Sequence, residues 1–137
     1  DEAYQASTTS KQNVVEPTVS DAITLAASQV AETVNANCIV TYTTSGSTTL
    51  RAARERPTVP ILCVTSSLLT ARRMAIAWGI HSVHSDQEER FSTVVKRAVD
   101  IAETQGFASS GDHIVITAGV PMGKSGSTNV LRIERIP

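Results

Sequence analysis

Residues 38–49 are Cys38-Ile-Val-Thr-Tyr-Thr-Thr-Ser-Gly-Ser-Thr-Thr49, an apolar, β-branched run followed directly by hydroxyl side chains around one glycine. The run predicts a buried strand, and the residues after it predict a helix over Thr48–Arg56 that Pro57 ends. Amide hydrogens at a helix start lie at the positive end of its dipole, where an anion is stabilised. The stretch therefore predicts a strand, a phosphate-binding loop and a helix in succession.

A second loop of similar composition follows another β-branched run, His113–Thr117. It is Gly119-Val-Pro-Met-Gly-Lys-Ser-Gly-Ser-Thr128, in which glycines permit close backbone approach and Lys124 supplies a cation. The loop leads into a strand and not into a helix, which excludes the phosphate loop of nucleotide hydrolases. Two plainer interpretations stay open: a flexible hairpin loop here, and a cluster of helix-capping hydroxyls in the first loop.

Strands alternate with helices along the chain. The patterns predict helices over Val19–Asn35, Thr48–Arg56, Ser67–Trp78 and from Phe91 to Ala102, and strands over Cys38–Tyr42, Pro60–Thr65, Ile80–His84, His113–Thr117 and Asn129–Ile136. This order predicts a three-layer α/β/α fold around a mostly parallel five-stranded sheet. The Gly-rich connection before the last strand makes no crossover helix, so that strand is predicted to be antiparallel and at the edge. Both loops then leave carboxyl ends of strands, where ligands of such sheets bind.

Two helices are preceded by the pattern of a capping box, a hydroxyl residue followed three positions later by a carboxylate. The pairs are Thr18 with Asp21 and Ser85 with Glu88. They predict the starts of the first helix and of the longest helix, and the acidic residues at Asp86 to Glu89 are expected in the first turn of the latter.

The composition is that of one globular domain. The chain has 137 residues, 41% of them hydrophobic, and a net charge of −1, which gives no electrostatic argument for nucleic acid or an anionic membrane as partner. The sequence shows neither a membrane-spanning run nor a secretory leader, which predicts a cytoplasmic location. Residues 1–17 are polar and predict a linker or tail from an upstream domain, and residues 18–137 are predicted to form the α/β domain.

Several residues outside the loops are interpreted as structural. Cys38 and Cys63 lie in apolar runs, which predicts buried free thiols. His81 and His84 lack the further ligands of a zinc site, so no metal site is predicted. Trp78 closes an apolar helical stripe and is predicted to be a core or interface residue.

The order of these motifs resembles the C-terminal domain of pyruvate kinases over Thr18–Ile136. The resemblance lies in Asp21-Ala-Ile, Ile39-Val-Thr-Tyr-Thr-Thr-Ser-Gly-Ser-Thr48, Arg56-Pro-Thr-Val-Pro-Ile61, Thr70-Ala-Arg72, Trp78-Gly79, Gly111-Asp112, Gly119-Val-Pro and Ser125-Gly-Ser-Thr-Asn129. Asp1-Glu-Ala-Tyr4 is similar to the last stretch of the barrel domain that precedes it in this family. The Gly-rich loop is similar to that of bacterial members.

The resemblance implies an allosteric domain that binds a phosphorylated metabolite. The implied phosphate contacts are Thr43, Thr44, Ser45, Gly46, Ser47 and Thr48, and the implied lid contains Gly119, Pro121, Gly123, Lys124, Ser125, Gly126, Ser127 and Thr128. Animal and fungal members activated by fructose 1,6-bisphosphate carry a Trp and an Arg near the start of the long helix, whereas the comparable positions around Gln87 and Val94 carry neither. A sugar monophosphate or AMP is therefore the expected effector.

The family's catalysis, phosphate transfer from phosphoenolpyruvate to ADP, takes place in an eight-stranded barrel of about 250 residues, for which this chain has no room. The resemblance thus implies no catalytic residue here and no cofactor, because Mg²⁺ and, in many members, K⁺ bind at the barrel. It also implies that strand Asn129–Ile136 pairs with its copy in a homo-oligomer. A purely structural oligomerisation domain without a ligand is the alternative.

Overall fold

The computed structural model describes residues 18–77, 79–86, 90–120 and 128–137. The helices are α1 (Val19–Thr33), α2 (Ser47–Arg54), α3 (Leu68–Met74) and α4 (Phe91–Thr104), and the strands are β1 (Cys38–Tyr42), β2 (Ile61–Thr65), β3 (Ile80–His84), β4 (His113–Ala118) and β5 (Val130–Arg135). The predicted order of strands and helices is confirmed.

The strands form one five-stranded sheet in the order β3-β2-β1-β4-β5. The first three pairings are parallel, and β4 pairs with β5 in antiparallel fashion. β1 and β2 are buried along their whole length, as expected for central strands covered on both faces. The predicted α/β class, the mostly parallel sheet and the antiparallel edge strand are therefore confirmed.

Alternation along each strand assigns the helices to opposite faces of the sheet. Val40 and Leu62 pack in one core cluster with the buried side of α4, whereas Ile39 packs in a second cluster with Ala27 and Ala31 of α1. Thr41 lies on the same face as Ile39, two residues on, and its hydroxyl contacts α2 at Thr49, 2.7 Å away. The three layers are thus α1 and α2 on one face, the sheet, and α4 on the other.

The helix ends depart from the predicted bounds by a few residues. α1 ends two residues early because Asn35 takes a left-handed conformation, with φ 53°. α2 begins at Ser47 and ends at Arg54, since Arg56 has φ 47° ahead of Pro57. α3 ends at Met74, before the left-handed Gly79 at φ 78°. At Asn35 and Arg56, such conformations cannot continue a right-handed helix.

One predicted capping box is present, and the other lies partly outside the described residues. Thr18 is the N-cap of α1, and its side chain accepts a hydrogen bond from the Asp21 amide while the Asp21 carboxylate accepts one from the Thr18 amide. α4 begins only at Phe91, with Arg90 as N-cap, so Ser85 does not cap it and no acidic residue lies in its first turn. Glu88, and likewise Trp78, lie outside the described residues.

The two thiols are buried and free, as predicted. Burial raises the pKa of Cys38 to about 12. Burial also raises the pKa of Cys63, against a smaller opposing effect of hydrogen bonds with the Thr49 and Thr41 hydroxyls. Both side chains are therefore neutral, weakly reactive members of the core.

A membrane-crossing helix is not found: none of the helices in the described segments has the length and apolar character required.

Candidate anion-binding site

The two hydroxyl-rich loops leave neighbouring strands at the same edge of the sheet. β1 and β4 are adjacent and parallel, with Thr41 opposite Thr117 near their carboxyl ends. The loop of residues 43–46 follows β1 and leads into α2, and the loop that begins at Gly119 follows β4. Chain topology alone therefore directs both loops to one place.

Side chains from the two loops are in direct contact. The Thr48 and Thr128 hydroxyls lie 2.6 Å apart, and both residues are buried. Of the predicted lid, Gly119 is half-buried next to β4 and Thr128 lies against α2, so the described ends of the loop flank the first loop. Pro121, Gly123, Lys124, Ser125, Gly126 and Ser127 lie outside the described residues.

The loop after β1 does not present all its amides to solvent. The Gly46 amide donates to the Thr43 hydroxyl at 3.0 Å, and the Ser47 amide to the Ser45 hydroxyl at 3.3 Å. The Ser45 hydroxyl also donates to that of Ser47, 3.0 Å away. Side chains expected to contact an anion thus cap the loop's own backbone, and an anion that used those two amides would have to displace them.

The start of α2 has further donors. Its N-cap is Gly46, in a left-handed conformation with φ 88°, which has no side chain to cap the helix. The amides of Thr48 and Thr49, at the second and third helical positions, therefore receive no cap from that residue, and they lie at the positive end of the helix dipole. An anion at this end can accept both hydrogen bonds.

Arg51 and the Thr44 carbonyl, which lie near this loop, each have a partner within the protein. Arg51 lies in the last turn of α2, and its Nε is 3.2 Å from an Asp21 carboxylate oxygen. Thr44 is exposed, and its carbonyl accepts a 2.7 Å hydrogen bond from the Thr70 hydroxyl of α3. The loop is thus held by α3 and the helix that follows it by α1, and the amides of Thr48 and Thr49 at the start of α2 are the donors that remain for an anion.

Two residues that sequence analysis did not single out fix the ends of the second loop. The Ser20 hydroxyl of α1 accepts a 3.1 Å hydrogen bond from the Thr128 amide and donates to its carbonyl at 3.3 Å. The Asn129 side chain accepts from the Val120 amide at 2.8 Å and donates to the Val120 carbonyl at 2.7 Å. No sequence pattern pairs residues 108 positions apart, so only the fold exposes the first contact.

A buried polar layer lies beneath the site. Thr41 and Thr49 share their hydroxyl hydrogen bond within it. The Thr117 hydroxyl, also buried, has no hydrogen-bond partner among the residues that the structure describes. Within that same part of the chain, no group of three or more His, Cys, Asp or Glu side chains could hold a metal ion.

Comparison with known protein families identifies the family to which the chain belongs. The family model described as the alpha/beta domain of pyruvate kinase matches residues 21–134. The chain belongs to the pyruvate kinase family. This confirms the resemblance inferred from the motifs.

Bacterial pyruvate kinases are similar over nearly the whole chain. That of Methylorubrum extorquens is 39% identical over 133 residues, which cover 97% of this chain and 28% of the relative. That of Geobacillus stearothermophilus is 38% identical over 119 residues, 87% of this chain and 20% of the relative. The chain therefore spans between a fifth and a third of the length of these pyruvate kinases.

Solved pyruvate kinases share the fold. A crystal structure of a pyruvate kinase from Cryptosporidium parvum superimposes with a TM-score of 0.79 at 28% identity, over 88% of this chain and 23% of that one. A second crystal structure of the pyruvate kinase from this organism gives a TM-score of 0.75 at 27% identity. The domain described here thus corresponds to the α/β portion of these longer pyruvate kinases.

Proposed function

We propose that this chain is the regulatory domain of a pyruvate kinase and binds a phosphorylated metabolite at the start of α2. The observation that supports the proposal is the 2.6 Å contact between Thr48 and Thr128, which joins the two hydroxyl-rich loops at one edge of the sheet. The phosphate would lie at the Thr48 and Thr49 amides, with Thr43, Thr44, Ser45, Gly46 and Ser47 around it. The loop from Gly119 to Thr128 would cover the bound metabolite.

The effector is proposed to carry one phosphate, as a sugar monophosphate or AMP. Of the two positions comparable to the family's Trp and Arg near the start of α4, Val94 is fully buried in the core and offers no side-chain donor. The Val94 carbonyl accepts a hydrogen bond from the Tyr42 hydroxyl of β1, 3.1 Å away, so this part of α4 is bonded to the sheet. Fructose 1,6-bisphosphate is therefore the weaker candidate.

The parent protein is proposed to transfer phosphate from phosphoenolpyruvate to ADP. The residues that the structure describes form only the α/β domain, and they offer no metal cluster for Mg²⁺ or K⁺. Catalysis and its ions are proposed to belong to the barrel domain that the family resemblance implies. We expect the chain alone to show no turnover in a coupled pyruvate kinase assay.

Calorimetric titration of the whole chain tests ligand binding directly. Ribose 5-phosphate, glucose 6-phosphate, AMP and fructose 1,6-bisphosphate are the ligands, and sulfate is the minimal anion. The proposal expects saturable heat with at least one monophosphate, at one site per chain. Because a charge-assisted hydrogen bond contributes about 1.5–3 kcal/mol, Ser45→Ala would weaken binding roughly ten-fold or more if its hydroxyl turns to the ligand. Flat titrations with all five compounds would reject the effector site.

A structural role in assembly is the second candidate. β5 lies at the end of the sheet and pairs, among the described strands, only with β4, so one edge is available to another strand. Ile133 on this strand is 42% exposed. An unpaired edge with an exposed apolar side chain suits pairing with a second copy of the chain.

Light scattering after size-exclusion chromatography separates the two roles. Assembly through β5 expects a dimer that Ile133→Lys returns to monomer, whereas Leu50→Lys, at an exposed leucine on α2, leaves it unchanged. A dimer that binds none of the five compounds favours the structural role alone. A monomer at all concentrations contradicts assembly through this strand.

A further inference from the structure

We propose that Ser20 is a positioning residue for the anion site and acts through Thr128; this rests on the function proposed above. Ser20 lies in the first turn of α1, outside both hydroxyl-rich loops. Its hydroxyl nevertheless binds the backbone of the residue that ends the second loop.

Ser20 engages both polar groups of the Thr128 backbone. The amide donates to the serine hydroxyl at 3.1 Å, and the hydroxyl donates to the carbonyl at 3.3 Å. The relative exposures are 6% for Ser20 and 3% for Thr128, so water does not compete for these bonds. The Ser20 side chain thus satisfies both the amide and the carbonyl of Thr128, as a paired strand would, just before β5 begins.

The fixed Thr128 in turn fixes Thr48. The two hydroxyls are 2.6 Å apart, and Thr48 occupies the second position of α2, where its amide faces the proposed anion. Three segments distant in sequence therefore converge in the order Ser20, Thr128, Thr48. A shift of Thr128 would release the Thr48 side chain and alter the donors at the helix start.

Ser20 is not required for the capping of its own helix. The capping box of Thr18 and Asp21 already satisfies the start of α1. One turn further on, the buried Thr24 hydroxyl donates to the Ser20 carbonyl at 2.7 Å, a bond within the helix. Two buried hydroxyls on one helix therefore have different roles, since only that of Ser20 reaches the loop.

This difference supplies a matched pair of variants. Ser20→Ala removes the hydroxyl bound to Thr128, and Thr24→Val removes a buried hydroxyl while it retains the shape of the side chain. Both are made in the whole chain, and their melting temperatures measure any general loss of stability. The binding constant for inorganic phosphate and for ribose 5-phosphate is measured by NMR titration, together with hydrogen exchange of the Thr128 amide in the free protein.

The expected result is selective. Ser20→Ala weakens phosphate binding about five-fold, which corresponds to one hydrogen bond of about 1 kcal/mol, and speeds exchange of the Thr128 amide. Thr24→Val changes neither, whatever its melting temperature. Ser20→Thr, which retains the hydroxyl, keeps the exchange of the Thr128 amide and the phosphate affinity closer to the wild type than Ser20→Ala does.

The results that would reject the proposed function differ from those that would reject the role of Ser20 alone. A wild-type chain that binds no phosphate compound rejects the proposed function and, with it, this inference. A wild-type chain that binds, together with Ser20→Ala of unchanged affinity, rejects the inference alone. Equal weakening by Ser20→Ala and Thr24→Val also rejects it, because loss of stability would then explain both.

Discussion

The Thr48 and Thr128 hydroxyls form a 2.6 Å hydrogen bond between two segments that are 80 residues apart in sequence. Each comes from the end of one hydroxyl-rich loop, and each is buried. The loops are therefore joined by a specific polar contact whose contribution can be measured.

Removal of both members of this pair should cost less than the sum of the two single losses. Thr128→Val leaves the buried Thr48 hydroxyl without its partner and should lower the free energy of unfolding by about 1–3 kcal/mol. The double variant Thr48→Val with Thr128→Val leaves no orphaned hydroxyl and should be less destabilised than the sum of the single variants. Urea denaturation of the four proteins completes the cycle, and additive losses would contradict a direct bond.

Gly46 should be sensitive to substitution for two separate reasons. Its φ of 88° disfavours any L side chain, and an added Cβ would lie 3.0 Å from Met74 Cε. Gly106→Ala is the matched control, because its φ is 79° and an added Cβ meets nothing within 4 Å. Both variants should lose about 1–2 kcal/mol of unfolding free energy through the left-handed conformation.

Only Gly46→Ala should also change anion binding, since it alters the N-cap of α2. The phosphate affinities of the two alanine variants are measured by NMR titration under conditions in which the same fraction of each protein is folded. Equal phosphate affinities would show that the backbone at Gly46 does not contribute to the site.

Asn129 should close the base of the second loop. Its side chain makes two hydrogen bonds to the Val120 backbone, at 2.8 and 2.7 Å. Asn129→Leu removes both and should accelerate hydrogen exchange of the Val120 amide, whereas Asn129→Asp keeps the acceptor for that amide and should preserve much of its protection. Unchanged exchange of the Val120 amide in Asn129→Leu would show that these two hydrogen bonds do not persist in solution.

Asp21 should titrate at a lower pH than an unperturbed aspartate. Hydrogen bonds from the backbone and side chain of Thr18 lower the pKa of this carboxyl below 3.8, and Arg51 and Arg54 lower it further. A group whose pKa is lower in the folded state contributes stability above the unfolded pKa, and that contribution is lost as the pH falls through the folded value. Thr18→Ala removes only the side-chain contribution and should raise the pKa of Asp21 in an NMR titration; an unchanged value would assign the effect to the Thr18 amide and the arginines.

Sequence patterns predicted the framework of this domain well. The central strands β1 and β2 are short, continuous apolar runs because both of their faces are covered. The antiparallel last strand followed from a connection too rich in glycine for a crossover helix. These features depend on local composition, and local composition is what a single sequence displays.

The details of the candidate site depended on distant contacts. Nothing near Ser20 in the sequence indicates that its hydroxyl binds Thr128, and the Arg51 ion pair with Asp21 likewise joins two helices. The hydroxyls of Thr43 and Ser45 were expected to contact a ligand, yet they cap the loop's own amides. Whether such a hydroxyl bonds the protein backbone or a ligand depends on three-dimensional geometry, which local sequence patterns do not contain.

The bond between Ser20 and Thr128 has a consequence for biosynthesis. During translation, α1 leaves the ribosome long before residue 128 is made, so this bond, and the Thr48 contact that follows from it, cannot form until most of the domain has emerged. Closure of a loop of this length also slows its formation relative to the local contacts of the helices. The proposed anion site should consequently be among the last parts of the domain to mature.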